Sequence, residues 1–248
     1  MTRDVTPDLK SVRLFFTQPH DCSYLPDREA TTAFVDPTLY VDKGLYSQLT
    51  HLGFRRSGRY FYAPRCRGCQ ACVSARIPVA LFHPSRTQRR CLRRNTDVTV
   101  TPIHAIDVEE HYPLYERYIH ARHSDGDMYP PSRSQFLDFL GEGMEQTRYV
   151  EFRNGAQLLG CSVVDLLDDG ISAIYTYFEP GLGRRSLGIF AILSLIDLAD
   201  RLGLAYVYLG FWVSGCDKME YKTAFRPLEL LVDDAWQLQE KGNTASAR

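Results

Sequence analysis

The sequence predicts an α+β protein with two differently built parts and a short tail. Residues 1–100 are expected to form a loop-rich, cysteine-containing module, residues 101–240 a regular domain, and residues 241–248 a disordered end. Glycine and proline interrupt the first part so often that only short strands fit there. From residue 148 the pattern changes to three strands, a glycine-rich loop, an apolar helix and a further strand.

The individual elements follow from hydrophobic spacing and from turn residues. Residues 107–123 carry apolar and aromatic side chains at helical spacing, and SQFLDFL begins a second helix behind Ser132 or Ser134 as N-cap. RYVEFR and AQLLGCSVVDLL flank Asn154–Gly155, which predicts a hairpin with a type I′ turn. ISAIYTYFEP and AYVYLGFWV are further strands, and the apolar circumference of SLGIFAILSLIDLADRLG predicts a buried helix between them. In the N-terminal module the expected strands are RYFY and SARIPVALF.

Composition indicates a soluble protein of the cytoplasm. The chain has 248 residues, of which 44% are hydrophobic and 24% charged, as is ordinary for a globular protein. The opening MTRDVTPDLK lacks the apolar region of a signal peptide. The longest apolar stretch, LGIFAILSLI, is shorter than the roughly 20 residues that a membrane span needs. Seven cysteines, an odd number, favour a reducing compartment, so we expect a cytoplasmic protein with no membrane partner.

Charge is distributed unevenly along the chain. Between Asp42 and Asp97 there is no acidic residue, but there are twelve lysine and arginine residues. Such a surface attracts polyanions, and arginine binds phosphate in a bidentate way. We therefore predict that the arginines in PSRTQRRCLRRN, namely Arg86, Arg89, Arg90, Arg93 and Arg94, contact the phosphates of a polyanion such as a nucleic acid. The alternative is a solvated basic face that pairs with the acidic half of the chain.

Three cysteines, Cys66, Cys69 and Cys72, follow one another at a spacing of three residues. This spacing provides most of a zinc or iron–sulfur site, which normally has four ligands. A tandem ferredoxin pattern would place the next cysteine four residues after Cys72, where this chain has Arg76. The ferredoxin interpretation therefore fails, and the fourth ligand must come from elsewhere in the chain.

The C-terminal half contains the features expected of a transfer site. GLGRRSLG, residues 181–188, places Ser186 at a helix start, where backbone N–H groups suit an anion or an oxyanion. It is similar to the central unit of GNAT-type acyltransferases, although a plain loop between strand and helix remains the alternative. Further substrate-binding candidates are His123, Tyr177, Tyr208 and Lys222, and the acid–base candidates are Asp127 and Asp165. For these residues, turn, surface or core roles are the alternatives.

Several blocks together resemble one family. YFYAPRCRGCQACVSARIPV, PSRTQRRCLRRN, RHSDGDM, ISAIYTYFEP, RSLGIFAIL and YVYLGFWVSGCDKMEYK resemble, in this order, the bacterial aspartate/glutamate leucyltransferases, which are relatives of the arginyl-tRNA–protein transferases. The resemblance implies a cytosolic enzyme of the N-degron pathway with a GNAT-like C-terminal half. Its implied partners are leucyl-tRNA and proteins that begin with Asp or Glu, and not DNA. The arginines of PSRTQRRCLRRN are therefore expected to contact tRNA phosphates.

The resemblance also implies a fourth cysteine ligand. In HDCSYL, Cys22 matches an N-terminal cysteine motif of the related transferases, so it completes a set with Cys66, Cys69 and Cys72. Cys91 is the rival ligand. Related enzymes have been linked to zinc, haem and an iron–sulfur cluster, so the metal stays open, and a metal-free thiol group is the alternative.

The transfer itself is expected to need no cofactor, because the donor is an activated ester and positioning supplies most of the acceleration. We predict that Arg76 binds the acceptor carboxylate, because a guanidinium pairs with it bidentately; one more tRNA contact is the alternative for this residue. Three competing functions remain. They are transfer of arginine in place of leucine, acyl-CoA-dependent N-acetylation, and non-catalytic nucleic-acid binding by a metal ribbon at residues 43–96.

Overall fold

The computed structural model of this chain describes residues 9, 12–126 and 128–239. Six α-helices lie in this part of the chain: α1 (Lys43–His51), α2 (Arg86–Arg94), α3 (Val108–Arg122), α4 (Arg133–Phe136), α5 (Leu187–Arg201) and α6 (Asp217–Glu220). Its first strands are β1 (Leu14–Phe16), β2 (His20–Asp21), β3 (Glu29–Ala30), β4 (Thr32–Val35), β5 (Arg55–Ser57), β6 (Tyr60–Pro64) and β7 (Cys72–Pro78). The remaining strands are β8 (Thr99–Ile103), β9 (Thr147–Asn154), β10 (Gln157–Leu166), β11 (Gly170–Phe178), β12 (Tyr206–Val213), β13 (Glu229–Val232) and β14 (Ala235–Leu238).

Most strands belong to one large mixed sheet, so the α+β class is confirmed. Its order is β14-β13-β7-β12-β11-β10-β9-β8, and only the β11–β12 pair is parallel among the strands described. A second sheet has the order β1-β4-β6-β5, and β2 pairs with β3. Since β7 lies between β12 and β13, the large sheet takes strands from both sides of residue 100. A division at that residue therefore does not separate the two sheets.

The predicted meander of β9, β10 and β11 is confirmed, but its first turn differs from the prediction. Asn154 pairs with Gln157, so the two loop residues are Gly155 and Ala156. Gly155 has φ +57°, whereas neither Ala156 nor Asn154 has positive φ. A type I′ turn needs positive φ at both central residues, so the type I′ assignment is wrong.

The strands β11 and β12 separate soon after they begin to pair. Their register runs from Gly170 opposite Tyr206 to Ser172 opposite Tyr208. Both strands continue well beyond these residues, while the other edge of β12 remains paired with β7. The sheet therefore contains an opening between two parallel strands, which we call the fork.

Helices cover both faces of the large sheet. The predicted burial of α5 is confirmed, since most of its residues lie in the largest apolar core. The helix α3 packs on the opposite face beside β10 and β11, close to the predicted bounds. Ser132 caps α4 by accepting a hydrogen bond from the Gln135 amide at 3.2 Å, and the helix continues as a π-helical turn, Leu137–Gly141.

Two helices in the N-terminal part were missed by the sequence analysis. Asp42 caps α1, and Ser85 caps α2 in a capping box with Gln88. In α2 only Gln88 and Cys91 are buried, because the remaining positions face solvent. So few apolar positions give almost no helical periodicity, and the capping box was the available signal. None of the described helices is long and apolar enough to cross a membrane.

Candidate active site

Arg55, at the start of β5, inserts its guanidinium into the fork. Its Nη2 donates a hydrogen bond of 2.7 Å to the Ala173 carbonyl of β11. On the β12 side, Gly210 makes room for the side chain, because a Cβ there would lie 1.8 Å from Arg55 Nη1. Gly210 also has φ +76°, a conformation that favours glycine. The fork is therefore built around this guanidinium.

Lys222 is the second cation at the fork and is buried, with 4% of its surface exposed. Its Nζ donates to the Phe211 carbonyl of β12 and lies 3.3 Å from the Met219 Sδ. Burial and the nearby Arg55 charge lower the pKa of Lys222 to about 7. Lys222 was predicted to bind substrate, and the structure places it close enough to Arg55 for the two charges to interact.

Neither cation has an acidic partner in the described part of the chain. The ion pairs found there involve neither Arg55 nor Lys222. Two neighbouring cations without a carboxylate leave uncompensated positive charge, and such a place favours an anionic or a neutral nucleophilic ligand.

Aromatic side chains line the neighbouring stretch of β11. Among the described residues, the buried hydroxyl of Tyr175 has no hydrogen-bond partner. The centres of the Tyr118 and His123 rings lie 6.3 and 6.5 Å from that of the Tyr175 ring. Burial and Lys218 lower the pKa of the half-buried His123. The predicted base Asp127 lies outside the described residues.

The predicted base Asp165 is fully buried and has no room for a substrate. Arg56 binds it through Nε at 2.6 Å and Nη2 at 2.9 Å, while Tyr46 and Thr147 donate at 2.7 and 2.5 Å. Four internal donors therefore occupy both oxygens of this carboxylate, and neither oxygen is accessible to a substrate. This environment argues against catalysis and indicates a structural ion pair.

Arg76 is not available for an acceptor carboxylate either. Its Nε donates to Glu229 at 2.6 Å, and its guanidinium lies 3.5 Å from the centre of the Tyr206 ring and 4.2 Å from that of Trp236. The hydroxyl of Tyr208 accepts from Arg76 at 3.3 Å and donates to Asp169 at 2.8 Å. Arg76 and Tyr208 therefore belong to one cluster with the aromatic rings of Tyr206 and Trp236. The structure does not support the predicted contact of Arg76 or Tyr208 with substrate.

Tyr177 is fully buried as well, in a polar network behind α3. Its hydroxyl lies 2.7 Å from Nδ1 of His111, whose Nε2 lies 2.9 Å from Glu151. Glu110, His111 and Glu151 form the only described group of three metal-ligand types within 4.8 Å of one another. However, Arg153 already pairs with both carboxylates, at 2.6 Å each. We interpret the group as an internal ion-pair network.

The four predicted metal ligands lie in one neighbourhood, but their sulfurs are not at ligand spacing. Burial, followed by the thiols of Cys22, Cys66 and Cys69, raises the pKa of Cys72 to about 12. Among the described residues, no three of these sulfurs lie within 4.8 Å of one another. Cysteine thiols are ligands that suit a soft metal, but these sulfurs lie farther apart than the ligands of a closed metal site. The same group lies beside the C-terminal end of β12, because Cys72 pairs with Val213.

The helix α2 presents the predicted tRNA-binding arginines together. All five are exposed, and none forms an ion pair within the described residues. The helix is anchored to the loop before α5, since the buried Asn95 donates to the carbonyls of Cys91 at 2.9 Å and Arg185 at 2.8 Å. Ser186 in that loop has φ +54° and makes no side-chain cap bond, although its carbonyl accepts from Cys91.

A separate cavity of about 760 Å³ lies between the β5–β6 turn and the π-helical turn. Its lining includes Arg59, Tyr60, Tyr115, Asp138 and Glu142. Charges of both signs line this cavity, whereas the two charged side chains described at the fork, Arg55 and Lys222, are both cations.

Sequence reasoning missed Arg55 as a site residue. The acid-free stretch holds eleven arginines, and no spacing distinguishes this one. The available signal was Gly210, a glycine within an apolar strand, which often marks a close approach by another group.

Comparisons with known proteins agree with this organisation. Residues 20–90 match the family "Arginine-tRNA-protein transferase, N terminus", and residues 110–232 match "Arginine-tRNA-protein transferase, C terminus". Both matches define the class as a tRNA-dependent protein transferase.

Curated relatives narrow the class further. "Aspartate/glutamate leucyltransferase" of Saccharophagus degradans is 52% identical over 92% of this chain and 98% of its own length. The relative of the same name from Marinobacter nauticus is 54% identical, over 93% and 97%. The chain therefore belongs to the aspartate/glutamate leucyltransferase family.

Among solved structures, "The structure of L-PGS from Bacillus licheniformis" matches with a TM-score of 0.46 and 8% identity, over 58% of this chain and 46% of that one. The chain thus spans about half the length of that structure, and a likeness this weak carries no argument.

Proposed function

We propose that this protein transfers leucine from leucyl-tRNA to the N-terminal amine of cytoplasmic proteins that begin with Asp or Glu. The observation that carries the proposal is the near full-length identity of 52–54% to relatives that bear this activity in their name. The fork supports it, because two cations that have no acidic partner among the described residues suit an acidic acceptor. Zinc or iron is not required by the chemistry, since the ester donor is already activated.

The fold suggests how the acceptor reaches the donor. Two parallel strands that pair over three residues and then separate, with a helix following the first strand, are the central feature of a GNAT-like acyltransferase. We infer that the acceptor amine enters the fork between β11 and β12. The loop before α5 would then support the donor ester.

Lys222 is our candidate for the proton acceptor. In the transfer, the acceptor nitrogen forms a bond to the leucyl carbonyl carbon, and the ester bond to the tRNA ribose oxygen breaks. The nitrogen loses a proton, which Lys222 can take because its lowered pKa leaves much of it neutral near pH 7. The departing ribose oxygen takes up a proton in turn. A carboxylate base is not needed for this balance.

The arginines of α2 are our candidates for contacts with tRNA phosphates. They are exposed and lack acidic partners in the described structure, so they can replace counterions on a nucleic acid. The anchoring of α2 to the loop before α5 would hold the bound tRNA in register with the fork. His123, beside Tyr175 of β11, and Ser186, directly before α5, remain substrate-binding candidates.

One experiment tests the whole proposal. The pure protein is mixed with a complete set of charged tRNAs, acetyl-CoA and a peptide beginning with Asp, and the modified peptide is analysed by mass spectrometry. We expect an added leucine. An added arginine or acetyl group, or binding of tRNA without any transfer, would each contradict the proposal and identify the competing function.

A further inference from the structure

We propose that the Arg55 guanidinium binds the side-chain carboxylate of the acceptor's first residue, an inference that rests on the proposed transfer to Asp- or Glu-initiated proteins. This assigns to Arg55 the specificity role that the sequence analysis gave to Arg76.

Most N–H donors of the Arg55 guanidinium are free within the described structure. A guanidinium has five N–H groups, and within the described structure Arg55 makes one hydrogen bond, to Ala173. Two other arginines near the large sheet already form ion pairs, since Arg56 binds Asp165 and Arg76 binds Glu229. Arg55 is thus half-buried at the fork with most of its donors unused.

The positive charges of Arg55 and Lys222 lie close together at the fork. Arg55 lies near enough to Lys222 to lower its pKa, and no carboxylate compensates either cation in the described residues. A bound carboxylate would remove this repulsion, and a partly desolvated, charge-assisted pair is stronger than a pair at an exposed surface. An acidic first residue therefore gains more at the fork than its amide counterpart does.

The geometry of the acceptor also matches the fork. An N-terminal Asp or Glu carries its amine and its carboxylate on one residue, within a few ångströms of each other. The fork offers a matching pair, since Lys222 is the candidate proton acceptor for the amine and Arg55 is its cationic neighbour. A methyl group at Gly210 would occupy the space of Arg55 Nη1, so the backbone is shaped to hold the guanidinium here.

A phosphate of the tRNA is the other anion of this reaction. The exposed arginines of α2 already suit phosphates, whereas Arg55 is half-buried between two strands. A single planar carboxylate matches the bidentate geometry of a guanidinium, so we favour the acceptor carboxylate over a tRNA phosphate as the ligand of Arg55.

The test measures the preference for Asp over Asn. Two peptides that differ only in this first residue are offered with leucyl-tRNA, and kcat/KM is obtained for each by mass spectrometry. Relative to the unaltered protein, we expect Arg55→Gln to lower the Asp-over-Asn ratio by at least about tenfold, the range for a lost charged hydrogen bond. Affinity for leucyl-tRNA and its salt dependence should stay unchanged.

Three further variants show whether a lowered ratio is due to the Arg55 guanidinium. Arg59→Gln removes the same charge from an exposed position in the β5–β6 turn and should preserve the ratio. Arg55→Lys keeps the charge but loses the planar fork, so a partly lowered ratio is expected even if Arg55→Gln fails to fold. Gly210→Ala should lower the ratio by displacing the guanidinium.

Two results would overturn the inference. One is an equal loss of transfer to both peptides in Arg55→Gln, and the other is weaker tRNA binding with a smaller salt slope, which would assign Arg55 to a phosphate. If the unaltered protein adds no leucine to either peptide, the proposed function itself fails, and the inference, which rests on it, fails with it.

Discussion

Arg56 and Asp165 form a buried ion pair that connects the two sheets, with 2.6 Å between Nε and Oδ2 and side chains that are 1% and 0% exposed. Arg56 belongs to β5 of the four-stranded sheet, and Asp165 to β10 of the large sheet. Because Thr147 and Tyr46 also donate to Asp165, both carboxylate oxygens are satisfied. The same strand that supplies this link places Arg55 in the fork, so the ion pair also positions the candidate site.

Loss of this pair should affect stability more than chemistry. We expect Asp165→Ala to lower the free energy of unfolding by about 3–5 kcal/mol, because it leaves a buried guanidinium without a partner. Urea denaturation measures this value. Glu110→Ala removes a more exposed ion pair and should cost less than about 1 kcal/mol. Equal, small losses in both variants, or a folded Asp165→Ala protein unable to transfer leucine, would contradict this interpretation.

Lys222 should give the protein a characteristic pH dependence of stability. Its folded pKa of about 7 lies below the ordinary value of 10.5, so between these values the unfolded chain binds more protons. Stability should therefore rise with pH across this window, with a slope of up to about 1.4 kcal/mol per pH unit, and the gain is lost as pH falls towards 7. Lys222→Met should remove this slope, which urea titrations at several pH values can detect. An unchanged slope would show that Lys222 is charged in the folded protein.

The α2 arginines should contribute to tRNA binding through charge alone. A double change, Arg89→Gln with Arg90→Gln, should weaken binding of every tRNA and lower the slope of log K against log salt by about 0.7–0.9 for each phosphate that is no longer neutralised. Filter binding at several salt concentrations measures both quantities. Lys43→Gln, also exposed but paired with Asp168, is the matched control. Unaltered affinity and slope in the double variant would make α2 a solvated surface.

The cysteine group should respond to loss of one thiol if it binds metal. We expect protein purified without oxygen to contain zinc or iron, and Cys66→Ala to lose this metal together with stability of the N-terminal part, since ligation is coupled to folding. Elemental analysis and thermal unfolding measure these effects. Cys161→Ala, a buried thiol in the α3 core, should retain the metal. A metal-free protein that tolerates Cys66→Ala would leave the group as four free thiols.

The order of elements in the C-terminal half could be read from the sequence. The meander, the buried α5 and β12 were all predicted, because period-two and period-3.6 patterns are local properties of the chain. The glycine-rich loop and the acid-free, arginine-rich stretch were equally visible. The sequence thus determined the fold class and the family resemblance, and it indicated the arginines that we propose as tRNA contacts.

The roles of individual charged residues were decided only by tertiary structure. Arg55, Arg56 and Arg76 look alike in sequence, yet their partners are 118, 109 and 153 residues away, respectively. Arg56 and Arg76 meet carboxylates on distant strands, while Arg55 meets a carbonyl at the point where two strands separate. Since burial and pairing decide whether a cation can bind a ligand, and both depend on contacts across the sheets, local sequence could not distinguish these three arginines.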